Sequence, residues 1–203
     1  MDKKSCFLGR FEMREASEPG IVEGKAIVFD QKADLGWCDE IIEKGALDQA
    51  DLRDVRFCLN HDTNFVYARS RNNNENSTMQ LSIGDEGLNF RAMLDVENSP
   101  KAQSLFSAIE RKDIDHMSFM FIVDGEEWRD VDSEHPTRVI KSIKKVFEVS
   151  AVTFPAYEQT SITARGLSDA LESAKESLES ERARLAEIER RKQKIRILTE
   201  VLR

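Results

Sequence analysis

The chain has 203 residues, enough for one well-filled core with an appendage and too few for two full domains. Its 38 acidic against 30 basic residues give a formal charge of -8, which excludes a general nucleic-acid-binding surface and describes a soluble, self-repelling particle. Three cysteines (Cys6, Cys38 and Cys58), odd in number and irregularly spaced, indicate neither a disulfide framework nor a zinc site, and no apolar run approaches the roughly 20 residues of a membrane span.

The opening "MDKKSCFLGR" lacks the apolar stretch of a signal peptide, so the chain is expected to stay in the reducing cytosol where it is made. "GIVEGKAIVFD" is the first strand-like run. "CDEIIEKGALDQADLRD" has the look of a short helix broken by Gly45. "VRFCLNH", "MQLSI" and "LNFRAML" follow as strands, separated by the loops "SRNNNENS" and "GDEG". In "NSPKAQSLFSAIERKDI" Ser99 can cap a helix, Pro100 suits its first turn, and Ala102, Leu105, Phe106 and Ile109 share one face. "HMSFMFIV", "RVIKSI" and "VFEVSAVTF" complete the β-rich part.

Composition changes near Gly166. Residues 167–203 contain no Gly, Pro or aromatic residue and are built from helix formers, which divides the chain into a domain over 1–165 and a charged amphipathic helix over 166–203. A heptad places Leu171, Leu178 and Leu185 at one seam position and Ala174, Ile188, Ile195 and Leu202 at the other, interrupted by Glu181, Lys192 and Thr199. Acids gather early (Asp169, Glu172, Glu176, Glu179) and bases late (Arg190, Arg191, Lys192, Lys194, Arg196), as the helix dipole favours. Such a helix lies solvated on its own domain, pairs weakly with a second copy, or docks on a coiled-coil partner.

The chemistry-bearing residues are few. Ser118 stands in the middle of an otherwise apolar strand, with Met117, Phe119 and Phe121 on one face and Met120 and Ile122 on the other. A hydroxyl buried there without a partner costs about 1 to 3 kcal/mol, so it is either tied down or kept for chemistry. A serine attacks only when a base within hydrogen-bond reach takes its proton. Three histidines are available, His61, His116 and His135. His61 ends a strand at the mouth of a polar loop; His116 shares a strand face with Ser118, and neighbours on one strand project in parallel rather than toward each other. No GxSxG elbow surrounds Ser118, which excludes the α/β-hydrolase template. Glu148 interrupts another apolar run; it is either a carboxylate on the wet face of an edge strand, bound to a lysine such as Lys144, or the third member of a triad.

Three segments in order, "LNHDTNFVYARS", "KDIDHMSFMF" and "FEVSAVTFPAY", with a helix between the first two, resemble the prohead proteases of tailed bacteriophages over roughly residues 7 to 165. The resemblance implies a serine endopeptidase related to the herpesvirus assembly proteases, a small antiparallel β-barrel surrounded by helices (α+β, mainly β) with a long C-terminal helix. Position by position it implies His61 as base, Ser118 as nucleophile and Glu148 as third member, with no cofactor and no metal. It implies cleavage of scaffold or of the scaffolding segment of the major capsid protein, and of the protease itself, inside the assembling procapsid in the bacterial host cytoplasm. Residues 167–203 would then recruit the protease by pairing with scaffold helices or with a second copy. Family members commonly carry glycine where Met120 stands and a small or polar residue where His116 stands. The opposing expectations are a catalytically silent assembly protein on the same fold, and a β-rich binding module in which Ser118 and Glu148 are satisfied core residues.

Overall fold

The computed structural model describes residues 4–10, 18–153 and 165–201, with the side chains of 18–153 and 171–200. The "FPAY" residues 154–157 and the seam residue Leu202 lie outside the described residues. Chain order runs Lys4–Arg10 (β1), Ile21–Val28 (β2), Lys32–Asp34 (β3), Asp39–Ile42 (β4), Val55–Leu59 (β5), Ala68–Ser70 (β6), Met79–Gly84 (β7), Gly87–Met93 (β8), Pro100–Glu110 (α1), His116–Arg129 (β9), Thr137–Val152 (β10) and Arg165–Val201 (α2). No helix among the described residues is long and apolar enough to cross a membrane.

The fold is mixed α and β, mostly sheet. β9 and β10 form a long antiparallel hairpin, and β1 adds to the free edge of β9. The other edge of β10 carries two short strands in series, β4 beside Thr137–Ile140 and β5 beside Glu148–Ala151. Both run parallel to β10, so the sheet is not purely antiparallel. β2, β8 and β7 form a separate three-stranded sheet. The expected closed barrel is therefore corrected: among the described residues there are two sheets and no closed ladder. One 16-residue strand shared by two short partners leaves β4 and β5 each with β10 as a neighbour, rather than with one another.

Two further expectations change. "RVIKSI" and "VFEVSAVTF" are halves of one strand, because Lys144 and Lys145 between them lie toward solvent on a continuous ladder interrupted by bulges. The expected short helix at 38–54 is instead β4 followed by successive turns, with Ala46 N–H donating to the Glu43 carbonyl, Asp48 N–H to Gly45 and Ala50 N–H to Leu47. Ile41 and Ile42 are β-branched and register with Val139 and Ile140, and burial against that strand outweighs the helical spacing. By contrast α1 forms as its sequence dictates: the Ser99 hydroxyl accepts from Ala102 N–H, and Ala102, Leu105 and Ile109 are buried.

The main core lies between the two sheets and α1, with Met117, Phe119 and Phe121 of β9, Val149 of β10, and the Phe57 ring stacked on Phe90 at 5.5 Å. β2 reaches β8 closely enough that a Cβ on Gly87, whose φ is 150°, would sit 1.8 Å from the Ile27 carbonyl oxygen, so this turn requires glycine. A second, smaller core joins Leu35, Cys38, Trp128 and Val131 to Leu178 of α2. Beside it, Arg138 is 1% exposed and bonds Glu40 at 2.8 Å and Glu126 at 2.7 Å; the Trp128 indole N–H donates to Ser177 Oγ at 3.0 Å, and Ser177 donates to Glu126. Arg182 closes the junction by donating to the Val131 carbonyl at 2.7 Å.

Removing Arg138 leaves the fully buried Glu40 without its countercharge. Arg138→Ala is expected to lower the unfolding free energy by roughly 3 to 5 kcal/mol in urea titrations, and an unchanged midpoint would refute the role of the pair.

Candidate active site

The hairpin sorts its residues onto two faces. On one, Met117, Phe119 and Phe121 register with Ala151, Val149 and Val146 and enter the main core. On the other, His116, Ser118 and Met120 register with Val152, Ser150 and Glu148. Val146 and Val149 are three residues apart, an odd spacing that regular alternation cannot put on one face. The register shift between Val146 and Glu148 resolves this: Phe147 is an extra residue in β10, and the bulge turns Glu148 away from the core and onto the face that carries Ser118. On the same face, β5 presents Arg56 beside Glu148 and Cys58 beside Ser150.

His61 reaches this face from the turn after β5. Asn60 and His61 both adopt left-handed backbone, with φ of 50° and 59°, a conformation that costs a histidine on the order of 1 kcal/mol and persists only where its surroundings over-determine it. The surroundings do so here. Asn60 N–H donates to the Ala151 carbonyl at 2.9 Å, and the Asn60 side-chain oxygen accepts from Thr153 N–H at 2.9 Å and from its hydroxyl at 3.2 Å. His61 N–H donates to Ser150 Oγ at 3.2 Å, and Asp62 N–H returns to the Leu59 carbonyl at 3.0 Å. The turn is thus bolted to the end of β10, within a few residues of Glu148.

The outcome is a connected group. His61 Nδ1 and Glu148 Oε1 are 2.5 Å apart, with the imidazole 7% and the carboxylate 1% exposed. Ser150 donates to the second oxygen of Glu148 while accepting from the His61 backbone. Ser118, fully buried, lies directly across the ladder from Ser150, a spacing of about 4.5 to 5.5 Å between facing side chains. Glu148 is therefore not on a wet edge: it is buried and its partners are His61 and Ser150 rather than a lysine.

Ser150 was not singled out by sequence reasoning, although it sits inside the quoted "EVS" segment; its signal was a second small hydroxyl two residues from Glu148, on the same strand face. His116 shares the face of Ser118 but bonds its neighbour Asp115, at 2.5 Å. His135 is remote, beside Asp39 and Asp34 at the β3–β4 end. Met120 is half-buried directly across from Glu148. Cys58 is not a rival nucleophile, because burial, reinforced by the Glu148 charge, pushes its thiol up to about 12 and keeps it protonated.

A solved structure of the capsid assembly protease of bacteriophage T4 shares 12% identity with this chain, covering 76% of it and 100% of the T4 chain, at a TM-score of 0.43. A search of curated protein sequences finds no match. The family model described as caudovirus prohead serine protease matches residues 10–175. With most of its length matched, including the segments that carry His61, Ser118 and Glu148, the chain belongs to the caudovirus prohead serine protease family.

Proposed function

We propose that the chain is the endopeptidase of a tailed-phage procapsid, acting through Ser118, His61 and Glu148 on the scaffold or on the scaffolding segment of the major capsid protein, and on itself, within the shell as it assembles in the host cytoplasm. The observation that carries this reading is the buried Glu148 carboxylate bonded to His61 Nδ1, on the sheet face that Ser118 shares one rung away.

That geometry supports a division of labour. With Nδ1–H donated to Glu148, the imidazole keeps its lone pair on Nε2, the form a general base requires. Nε2 takes the Ser118 proton as Oγ bonds to the scissile carbonyl carbon, and the carbonyl electrons move to oxygen. When the tetrahedral intermediate collapses, the C–N bond breaks and the imidazolium gives its proton to the leaving amine. Water then repeats the sequence on the acyl-enzyme, its proton returning through Nε2 to Ser118. Glu148 stabilises the transient imidazolium, and Ser150 fixes the rotation of that carboxylate by holding its other oxygen.

α2 supports a recruiting role. It docks on the body through Ser177 and Leu178, while Leu185, Ile188, Ile195, Ile197 and Leu198 beyond Arg182 are exposed. Among the described side chains of α2, those up to Arg182 serve as an anchor, and those beyond it suit pairing with scaffold helices or with a second copy. A catalytically silent assembly protein is the second reading, favoured by one observation: Met120 stands across from Glu148 on the site face.

Co-expression of the native chain with capsid and scaffold proteins is expected to give processed bands that Ser118→Ala and His61→Ala abolish; identical banding for all three would remove the enzyme claim. Glu148→Gln is expected to lower kcat by about 10³- to 10⁴-fold. Ser150→Ala should lower kcat by roughly 10- to 100-fold at constant KM, since it loosens the orientation of Glu148 without touching substrate. Peptidase activity should survive iodoacetamide at about pH 8 and be lost to a serine-directed phosphonate; the reverse would reassign the nucleophile. Truncation after Arg182 should leave peptide cleavage intact and reduce the copies of protease per purified procapsid.

A further inference from the structure

Asn60, the first of the two left-handed residues that carry His61 out of β5, does more than turn the chain. At φ of 50° it sits in a region that asparagine tolerates better than most side chains, and its amide then fastens it to the end of β10. Oδ1 accepts from the Thr153 backbone N–H at 2.9 Å and from the Thr153 hydroxyl at 3.2 Å. A backbone N–H can only donate, so it is the amide oxygen that faces Thr153. Asn60 and Thr153 are both exposed, so these bonds answer no buried polar group. They fix a position.

That position is the setting of His61 against Glu148. Ala151, whose carbonyl accepts from Asn60 N–H at 2.9 Å, and Thr153 follow Glu148 on one stretch of chain, so the latch ties the turn to the same strand end that carries the carboxylate. His61 Nδ1 and Glu148 Oε1 are 2.5 Å apart, and a displacement of the ring by about 1 Å takes the pair out of hydrogen-bond range. Residue 60 needs two properties to prevent it: tolerance of positive φ and an acceptor that reaches Thr153. Glycine has the first and aspartate both. Asn73 supplies a control, because it too is left-handed, at φ of 52°, and clamps a turn with its amide, Oδ1 accepting from Leu81 N–H at 2.9 Å and Nδ2 donating to the Leu81 carbonyl at 2.7 Å. Its turn follows β6, whose Ser70 pairs with Val55 at the other end of β5 from His61.

We infer that Asn60 is a positioning residue of the peptidase: the latch of its amide oxygen on Thr153 holds the His61 imidazole against Glu148, and it acts on the reaction through His61. The inference rests on the triad reading for its kinetic consequence, and its test separates the two. In the full chain, Asn60→Gly is expected to lower kcat on capsid-precursor peptides by roughly 10- to 100-fold at constant KM. The low-field proton resonance of the His61–Glu148 hydrogen bond should broaden or vanish in the same variant, while the far-UV spectrum stays native. Asn60→Asp, which keeps both required properties, should restore the resonance and bring kcat back to within roughly threefold of native. Asn73→Gly should lower the melting temperature at least as much as Asn60→Gly and leave kcat and the resonance unchanged. A native kcat and resonance in Asn60→Gly, no recovery in Asn60→Asp, or equal losses in Asn73→Gly would overturn the positioning role. A resonance lost in Asn60→Gly and regained in Asn60→Asp, in a chain that cleaves no peptide or capsid precursor, would instead overturn the peptidase reading and leave the latch.

Discussion

A carboxylate removed from water survives only with partners, and the pairing of Glu148 is the constraint around which the candidate-site end of this protein is organised. Its two oxygens are divided between the His61 ring and the Ser150 hydroxyl, and Ser150 in turn holds the His61 backbone. Each of the three is therefore fixed by the other two. The bulge at Phe147 is what makes this possible, since without the extra residue Glu148 would follow Val146 into the apolar core.

Strain is placed at the same point. Two successive left-handed residues at the end of β5 lift His61 out of the line of its strand and over the neighbouring β10, and hydrogen bonds to Ala151, Ser150 and Thr153 hold them there. Because β5 runs parallel to β10, its C-terminal turn emerges at the same end as Glu148 and Ser150. An antiparallel β5 would have delivered that turn to the opposite end of the sheet. The topology of one short strand thus decides whether an imidazole and a carboxylate 87 residues apart in sequence can meet.

At the far end of the hairpin a different solution holds α2 to the body. Arg138, Glu40, Glu126, Trp128 and Ser177 form a buried polar chain that crosses β4, β9, β10 and the helix, flanked by the small core around Leu178. Buried ion pairs of this kind add little to net stability but penalise misplacement strongly, so the chain fixes where the helix sits more than how tightly. Beyond Arg182 no such anchor exists among the described residues, and the apolar positions Ile195, Ile197 and Leu198 face solvent.

Much of this was written in local patterns. The cap and apolar face of α1, the alternation that buries Phe119 and Phe121, and the helix-forming tail are short-range signals, and they are found as the residues dictate. The candidate residues His61, Ser118 and Glu148 could be named from an imidazole at a strand end and two polar groups in apolar runs, because burying either group is expensive enough to demand a reason. The pairing of Glu148 with His61, the part played by Ser150, the parallel setting of β4 and β5, and the open two-sheet form in place of a barrel were decided by tertiary structure alone. Each depends on register between distant strands, and a single bulged residue reverses which face every later side chain occupies, a shift that no alternation pattern within one strand can reveal.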